Sequence, residues 1–167
     1  LITLHTYRSW RPDDRRGYTR KDQGILPPDP EMAGRYDRDA KHPRKFLDDA
    51  LQQAAVAAVR DIVKDQPWQL HYIYAGSTHV HVLLSWRTFI EWNDVRVTIK
   101  RQLGKRLSKA AAQPGPWFVR GGKDSRKRVT DRRHFNHLMN EYLPKPTHRG
   151  WHWRDRCDAP WRVGWPP

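Results

Sequence analysis

Hydrophobic and polar residues alternate in three segments of the chain, and this period of two predicts β-strands. The segments are 1–7, 68–74 and 79–86. Only the turn Ala75-Gly76-Ser77-Thr78 separates the second segment from the third. We therefore expect these two strands to form a hairpin.

Apolar residues at the helical period follow the first strand and, later, the hairpin. The earlier predicted helix opens at Pro43 and keeps its period to Ile62. The later one runs from Phe89 to Ala112. Its apolar face consists of Val95, Ile99, Leu103 and Leu107.

Beyond the second helix the pattern predicts two more elements. Segment 117–129 is predicted to be a hairpin that turns at Gly121-Gly122. Segment 131–142 is predicted to be a short helix that ends at Tyr142, with Asp131 or Thr130 as its N-cap.

The element order β-α-β-β-α-β predicts an α+β fold of the ferredoxin-like type. In this sandwich both helices cover one face of an antiparallel sheet and leave the other face free for a ligand. The helix that carries the tyrosine is appended. We expect a single domain over 1–167, with a long loop rich in Pro and Arg at 11–44 and a Trp-rich C-terminal tail at 151–167.

The charge of the chain narrows the class of partner. Lys and Arg number 32 against 18 Asp and Glu, a formal net charge of +14. Nucleic acid is the usual partner of such a chain, and the nine Trp and six Tyr offer faces on which unpaired bases can stack. We expect single-stranded or hairpin DNA, although a basic ribosomal or nucleoid protein would share this composition.

Basic residues of the second helix and of the last hairpin are the predicted phosphate contacts. They are Lys100, Arg101, Lys105, Arg106, Lys109, Arg120, Arg126 and Arg128. On the helix, the alternative interpretation is a solvated basic face.

Cysteine content and hydropathy indicate the cellular compartment in which the protein is expected. Cys157 is the only cysteine, which excludes an intrachain disulfide. We find no long apolar run and no signal peptide, so we expect no membrane segment and a cytoplasmic, nucleoid-associated protein.

The candidate chemistry begins at His79-Val80-His81. Alternate residues of a strand point to the same side, so both imidazoles can chelate one divalent ion while Val80 enters the core. Downstream, the hydroxyl of Tyr142 could attack a phosphodiester and form a covalent phosphotyrosine. Each feature alone also has a non-catalytic interpretation: the two histidines could be ordinary surface residues, and Tyr142 could be a core aromatic.

Taken together, segments 72–84, 117–129 and 142–151 resemble the single-tyrosine HUH transposases, which include the bacterial REP-associated tyrosine transposases. The resemblance covers nearly the whole chain. It implies that His79 and His81 bind a divalent metal, Mg or Mn, and that Tyr142 forms a 5′-phosphotyrosine and frees a 3′-hydroxyl. The implied substrate is a DNA hairpin with flanking single strand, and a homodimer is among the expected assemblies.

The chain departs from the family pattern at the third metal ligand. The family commonly has Gln or His four residues after the tyrosine, where this chain has Pro146. His148 follows two residues later. Since Pro144 and Pro146 disfavour a continued helix, His148 is not held to helical spacing and could bend back as the third ligand.

Other polar residues are weaker candidates for the site. They are His5, His71, His134, His137, Glu91 and Asp94. Two further functions stay open: a domesticated hairpin DNA or RNA binder that does not cleave, which Pro146 favours, and a metal-independent phosphoesterase with paired His-x-Thr/Ser motifs.

Overall fold

The computed structural model describes residues 1–20, 22–87, 89–119, 125–156 and 161–162. Its strands are β1 (Ile2–His5), β2 (Tyr18–Arg20), β3 (Gly24–Leu26), β4 (Trp68–Ala75), β5 (His79–Trp86), β6 (Ser125–Arg126), β7 (Trp151–Arg154) and β8 (Trp161–Arg162). Its helices are α1 (Pro30–Arg38), α2 (Asp49–Lys64), α3 (Trp92–Ala110) and α4 (Arg132–His137), and α4 continues into a π-helical turn (Leu138–Tyr142).

Six strands form one antiparallel sheet in the order β6-β1-β5-β4-β7-β8. The predicted α+β class is confirmed, and the order of β1, α2, β4, β5, α3 and β6 is compatible with a ferredoxin-like arrangement. Part of the predicted Trp-rich tail is a component of the sheet, since it contributes β7 and β8. The alternation Trp151-His152-Trp153 explains this, because both indoles pack against the core.

The main core lies between one face of the sheet and helices α2 and α3. Helix α2 starts later than the predicted Pro43, because the side chain of Asp48 caps it by accepting a hydrogen bond from the Leu51 N–H at 2.8 Å. Helix α3 likewise starts at Trp92 and not at Phe89. Within the described ranges, no helix has the length and the apolar run needed to cross a bilayer.

The segment 11–44 is more ordered than the predicted loop. It contains helix α1 and a hairpin of β2 and β3. Asp29 caps α1, and Asp37 of α1 forms ion pairs with Arg8 and Arg11. The hydrophobic period missed these elements because they are short and are held by capping and ion pairs.

The predicted hairpin at 117–129 was wrong. Phe118 pairs with Thr6 and Arg126 pairs with Ile2, both antiparallel, so the two halves follow one another along β1. The Gly-Gly step between them lies outside the described residues. With β5 on one side of β1, pairing along its other edge satisfies backbone groups that would otherwise be left without partners.

The second face of the sheet is partly covered, although it was expected to be free. Leu138, Met139 and Leu143 form a small second core with Tyr72 and Leu83. This core fixes the end of the predicted tyrosine helix on the sheet.

Candidate metal and tyrosine site

Alternation along β5 places the two histidines of the His-x-His motif on the face opposite α2 and α3. Val80 and Val82 enter the main core, while His79 and His81 point to the second face. The predicted common direction of the two imidazoles is therefore found, and their ring centroids lie 4.8 Å apart.

A row of polar side chains crosses four neighbouring strands on this face. Thr3 of β1 lies opposite His81, Tyr74 of β4 lies opposite His81 on the other side, and His152 of β7 lies opposite Tyr74. The row is buried, with His152 at 0% exposure and His81 at 5%. On its second face the sheet thus buries several polar side chains, at positions where apolar side chains are usual.

His148 joins this row from the segment that follows the π turn. Its ring stacks on the ring of Tyr74 at a centroid distance of 4.3 Å and an interplanar angle of 13°. The ligand nitrogens of His79, His81 and His148 all lie within 4.8 Å of one another. These three histidines, the predicted metal ligands, therefore form a cluster that could hold a metal ion.

Each imidazole of the cluster is oriented by a hydrogen bond at Nδ1. The Nδ1–H of His148 donates to the carbonyl of Leu143 at 2.9 Å, and a carbonyl can only accept. Nδ1 of His81 contacts the hydroxyl of Thr3 at 2.8 Å, and Nδ1 of His79 contacts the hydroxyl of Thr78 at 3.1 Å. Hydrogen bonds of this kind orient metal ligands in proteins and leave Nε2 for the ion.

Burial keeps the three imidazoles in the neutral form that binds metals. Burial, together with the nearby histidines, lowers the pKa of His79 to about 4 and that of His81 to about 2. The pKa of His148 is also lowered by burial. Near pH 7 the cluster therefore needs to lose no proton before it can bind a cation.

The donor set fits a divalent transition metal. Three imidazole nitrogens suit Mn²⁺, Zn²⁺ or similar ions, whereas Mg²⁺ prefers oxygen ligands. Three protein donors leave coordination positions for ligand oxygens, as in catalytic sites.

Tyr142 lies beside the cluster. Its ring centroid is 5.8 Å from that of His81 and 5.5 Å from that of His148. Lys145 places its ammonium 4.5 Å from the centroid of the same ring. A phenol, a cation and a candidate metal site thus meet at one place.

The π turn allows two leucine side chains, five residues apart, to pack against the sheet. Leu143 donates its N–H to the carbonyl of Leu138 at 3.0 Å, five residues back, and both side chains are buried. Pro144 has no N–H to continue an α-helical ladder, which favours an irregular last turn. The predicted short helix from Asp131 to Tyr142 therefore has the expected extent, and its last turn is π-helical.

None of the six weaker candidates belongs to the cluster of three histidines. His5 is nearest, with its ring centroid 6.0 Å from that of His79. His71 contacts Phe135 and Ser85 instead, beside a bulge in β4. His137 forms a hydrogen bond with Glu141 at 3.0 Å. His134 lies in the first turn of α4, where its backbone N–H donates to the N-cap Asp131. Glu91 and Asp94 lie at the start of α3.

The predicted phosphate contacts fall into two groups. Lys100, Arg101, Lys105, Arg106 and Lys109 belong to α3, on the sheet face away from the cluster. Among them, Lys100 bonds the Val119 carbonyl and Arg106 pairs with Asp61 at 3.3 Å. Arg126 and Arg128 lie at the sheet edge, whereas Arg120 lies outside the described residues.

Sequence reasoning missed four residues that build the site: Thr3, Tyr74, Lys145 and His152. His152 contacts Tyr72 at 3.0 Å through Nδ1 and donates its Nε2–H to the His148 carbonyl at 2.9 Å. The polar positions among apolar neighbours in β1, β4 and β7 were the available signal. Their partners could not be known before the strand register was.

Comparison with protein-family models, with curated proteins and with solved structures found no match for this chain. The function is therefore inferred from the fold and the geometry of the cluster. They define an α+β protein with three clustered histidines that could bind a metal.

Proposed function

We propose that the protein is a metal-dependent, single-tyrosine DNA nickase and strand-transferase of the HUH transposase type, with a ferredoxin-like core. Its substrate is a DNA hairpin with flanking single strand. His79, His81 and His148 hold the metal, and Tyr142 is the nucleophile.

The observation that carries the proposal is the position of Tyr142 beside the three histidines. The ring centroid of Tyr142 lies 5.8 Å from that of His81 and 5.5 Å from that of His148, and His81 comes from a distant part of the chain. The fold itself does not require a phenol beside a metal site, because an apolar side chain could replace either group. In the attack of a tyrosine on a phosphodiester, by contrast, the two groups have complementary roles as nucleophile and Lewis acid.

The reaction exchanges one phosphate ester for another. The Tyr142 oxygen attacks the phosphorus and loses its proton, the bond from phosphorus to the 3′ oxygen breaks, and that oxygen leaves as a protonated 3′-hydroxyl. The phosphate stays on the 5′ end as a phosphotyrosine, so rejoining needs no external energy. A divalent ion, when bound, supplies Lewis acidity to the non-bridging oxygens of the scissile phosphate. The Lys145 ammonium offers that phosphate a positive charge beside the nucleophile.

The proposal is tested with a labelled DNA hairpin that carries flanking single strand, incubated with protein and Mn²⁺. We expect a covalent adduct that survives denaturing electrophoresis. Tyr142→Phe should abolish the adduct and leave hairpin affinity nearly unchanged, since only the attacking oxygen is removed. Tyr36→Phe is the matched control, because Tyr36 is 52% exposed and lies in α1.

The outcomes separate the functions that the sequence left open. Adduct formation by the Tyr142→Phe variant would assign the nucleophile to another tyrosine. Tight hairpin binding without any adduct would identify a non-cleaving binder. Strand cleavage without metal would favour the phosphoesterase.

A further inference from the structure

Two cavities adjoin at the edge strand β6. The smaller, about 380 Å³, is lined by Tyr142, Thr3 and His137. The larger, about 700 Å³, lies between the end of β5 and the starts of α3 and α4. Both are lined by Arg126 and Lys127, so the two basic residues stand where one cavity meets the other.

The larger cavity offers flat faces. Its walls include the rings of Trp86, Trp92 and Phe135. Arg126 places its guanidinium 4.6 Å from the centroid of the Trp92 ring, and His71 meets the Phe135 ring edge-on at 5.0 Å. Aromatic and guanidinium planes are the groups on which unpaired bases stack in single-strand binding proteins.

The charge and size of the larger cavity point to the same ligand. Arg126, Lys127 and Arg128 line it, and Glu91 is the single carboxylate among its described lining residues. Its volume lies within the range of small-ligand pockets, roughly 300–1,000 Å³. An anionic ligand with a flat apolar part fits this combination of cations and aromatic rings.

We infer that the larger cavity is a base-binding subsite for single-stranded DNA. It takes one unpaired nucleotide a short distance along the strand from the scissile phosphate, with the base among the aromatic rings. Arg126 and Lys127 hold the backbone that passes from one cavity to the other. The placement of the scissile phosphate rests on the proposed function, whereas the base subsite itself is defined by its own residues.

A comparison of two probes tests the subsite. The probes are a short oligothymidylate and an oligomer of equal length that has the same phosphates on abasic tetrahydrofuran sugars. The wild-type protein should bind the oligothymidylate more tightly. Trp92→Ala should weaken oligothymidylate binding by about 5-fold to 150-fold and leave abasic binding almost unchanged. Trp92→Phe should keep most of the preference, because a stacking face remains.

Trp10→Ala is the matched control, since Trp10 is a 47% exposed indole in the segment before β2, outside the larger cavity. It should leave the preference for bases as it is in the wild type. Equal losses of affinity in Trp10→Ala and Trp92→Ala, or an equal loss on the abasic probe, would overturn the inference.

Photocrosslinking provides a measurement that needs no variant. An oligonucleotide with a single 5-iodouracil should crosslink to Trp92, Phe135 or His71, as mapped by mass spectrometry. Crosslinks confined to segment 11–44 or to the outer side of α3 would contradict the subsite. If the protein forms a covalent adduct at Tyr142 but Trp92→Ala does not reduce its preference for bases, only the subsite is refuted. If Trp92→Ala reduces that preference but no adduct forms, only the strand-transferase is refuted.

Discussion

The tautomer of His148 shows how a single hydrogen bond can orient a candidate metal ligand. The Leu143 carbonyl fixes the proton on Nδ1, and Tyr74 stacks on the ring. His152 holds the His148 backbone carbonyl in turn. The side chain is therefore oriented before any ion arrives, although it comes from an irregular segment between a proline and a glycine.

Replacing each of the three predicted ligands by alanine should affect Mn²⁺ binding and adduct formation to different extents. His148→Ala should raise the Mn²⁺ dissociation constant by at least about 10–100-fold, because one of three donors is removed and solvent can replace it. His79→Ala or His81→Ala should abolish adduct formation at any practical Mn²⁺ concentration, since both belong to the central strand β5. Isothermal titration with Mn²⁺ measures the first effect and the adduct assay the second.

His137→Ala is the control for this series, because His137 is exposed and bonded to Glu141 outside the cluster. It should leave Mn²⁺ affinity unchanged. If His137→Ala weakened Mn²⁺ binding and His148→Ala did not, the third ligand would come from α4.

At the scale of elements, the approach of β7 to β4 decides the position of the cluster. Gly150 precedes β7, and a Cβ added to it would lie 2.2 Å from the backbone oxygen of Ala75. Such a contact forces the strands apart. Since β7 carries His152, the backbone of His148 would move with it.

Gly150→Ala should therefore lower the free energy of unfolding by about 1–3 kcal/mol and weaken Mn²⁺ binding in the same variant. Gly104→Ala is the matched control, because Gly104 lies inside α3 and a Cβ there would meet nothing within 4 Å. That change should stabilise the protein by roughly 0.5–1 kcal/mol. Denaturant unfolding measures both, and a neutral Gly150→Ala would refute the close approach.

At the scale of the whole molecule, the predicted phosphate contacts face two directions. Helix α3 covers the sheet face away from the three histidines, whereas Arg126 and Arg128 line the cavity next to that of Tyr142. Under the proposed function, a short single strand that passes Tyr142 would reach the edge residues and not the outer side of α3. Only a larger DNA element could touch both.

Neutralising each group should therefore affect different DNA probes. The double variant Arg126→Gln, Arg128→Gln should weaken oligothymidylate binding and reduce its salt dependence by about 1.4 in log–log slope, or roughly 0.7 for each phosphate that the protein no longer neutralises. The double variant Arg101→Gln, Lys105→Gln should leave oligothymidylate affinity unchanged and weaken only the binding of hairpin DNA. Fluorescence anisotropy over a salt series measures both slopes. Equal weakening of the single strand by both variants would refute the separation of the two surfaces.

The amino-acid pattern alone determined the elements with a strong period. It predicted the hairpin of β4 and β5 and the amphipathic character of α2 and α3, because burial of one face imposes a period of 2 or 3.6 on the sequence. It also determined the common direction of His79 and His81, which follows from the geometry of any strand. The α+β class followed from the order of these elements.

Only the tertiary structure decided which distant residues meet. The register of β1, β5, β4 and β7 aligns Thr3, His81, Tyr74 and His152, and no local pattern encodes a register between strands so far apart in sequence. The return of His148 depends on a turn after Pro144, whose course is set by packing of Leu143 into the second core. The sequence could name His148 as a candidate, but its place depends on long-range contacts that form only when the sheet is complete.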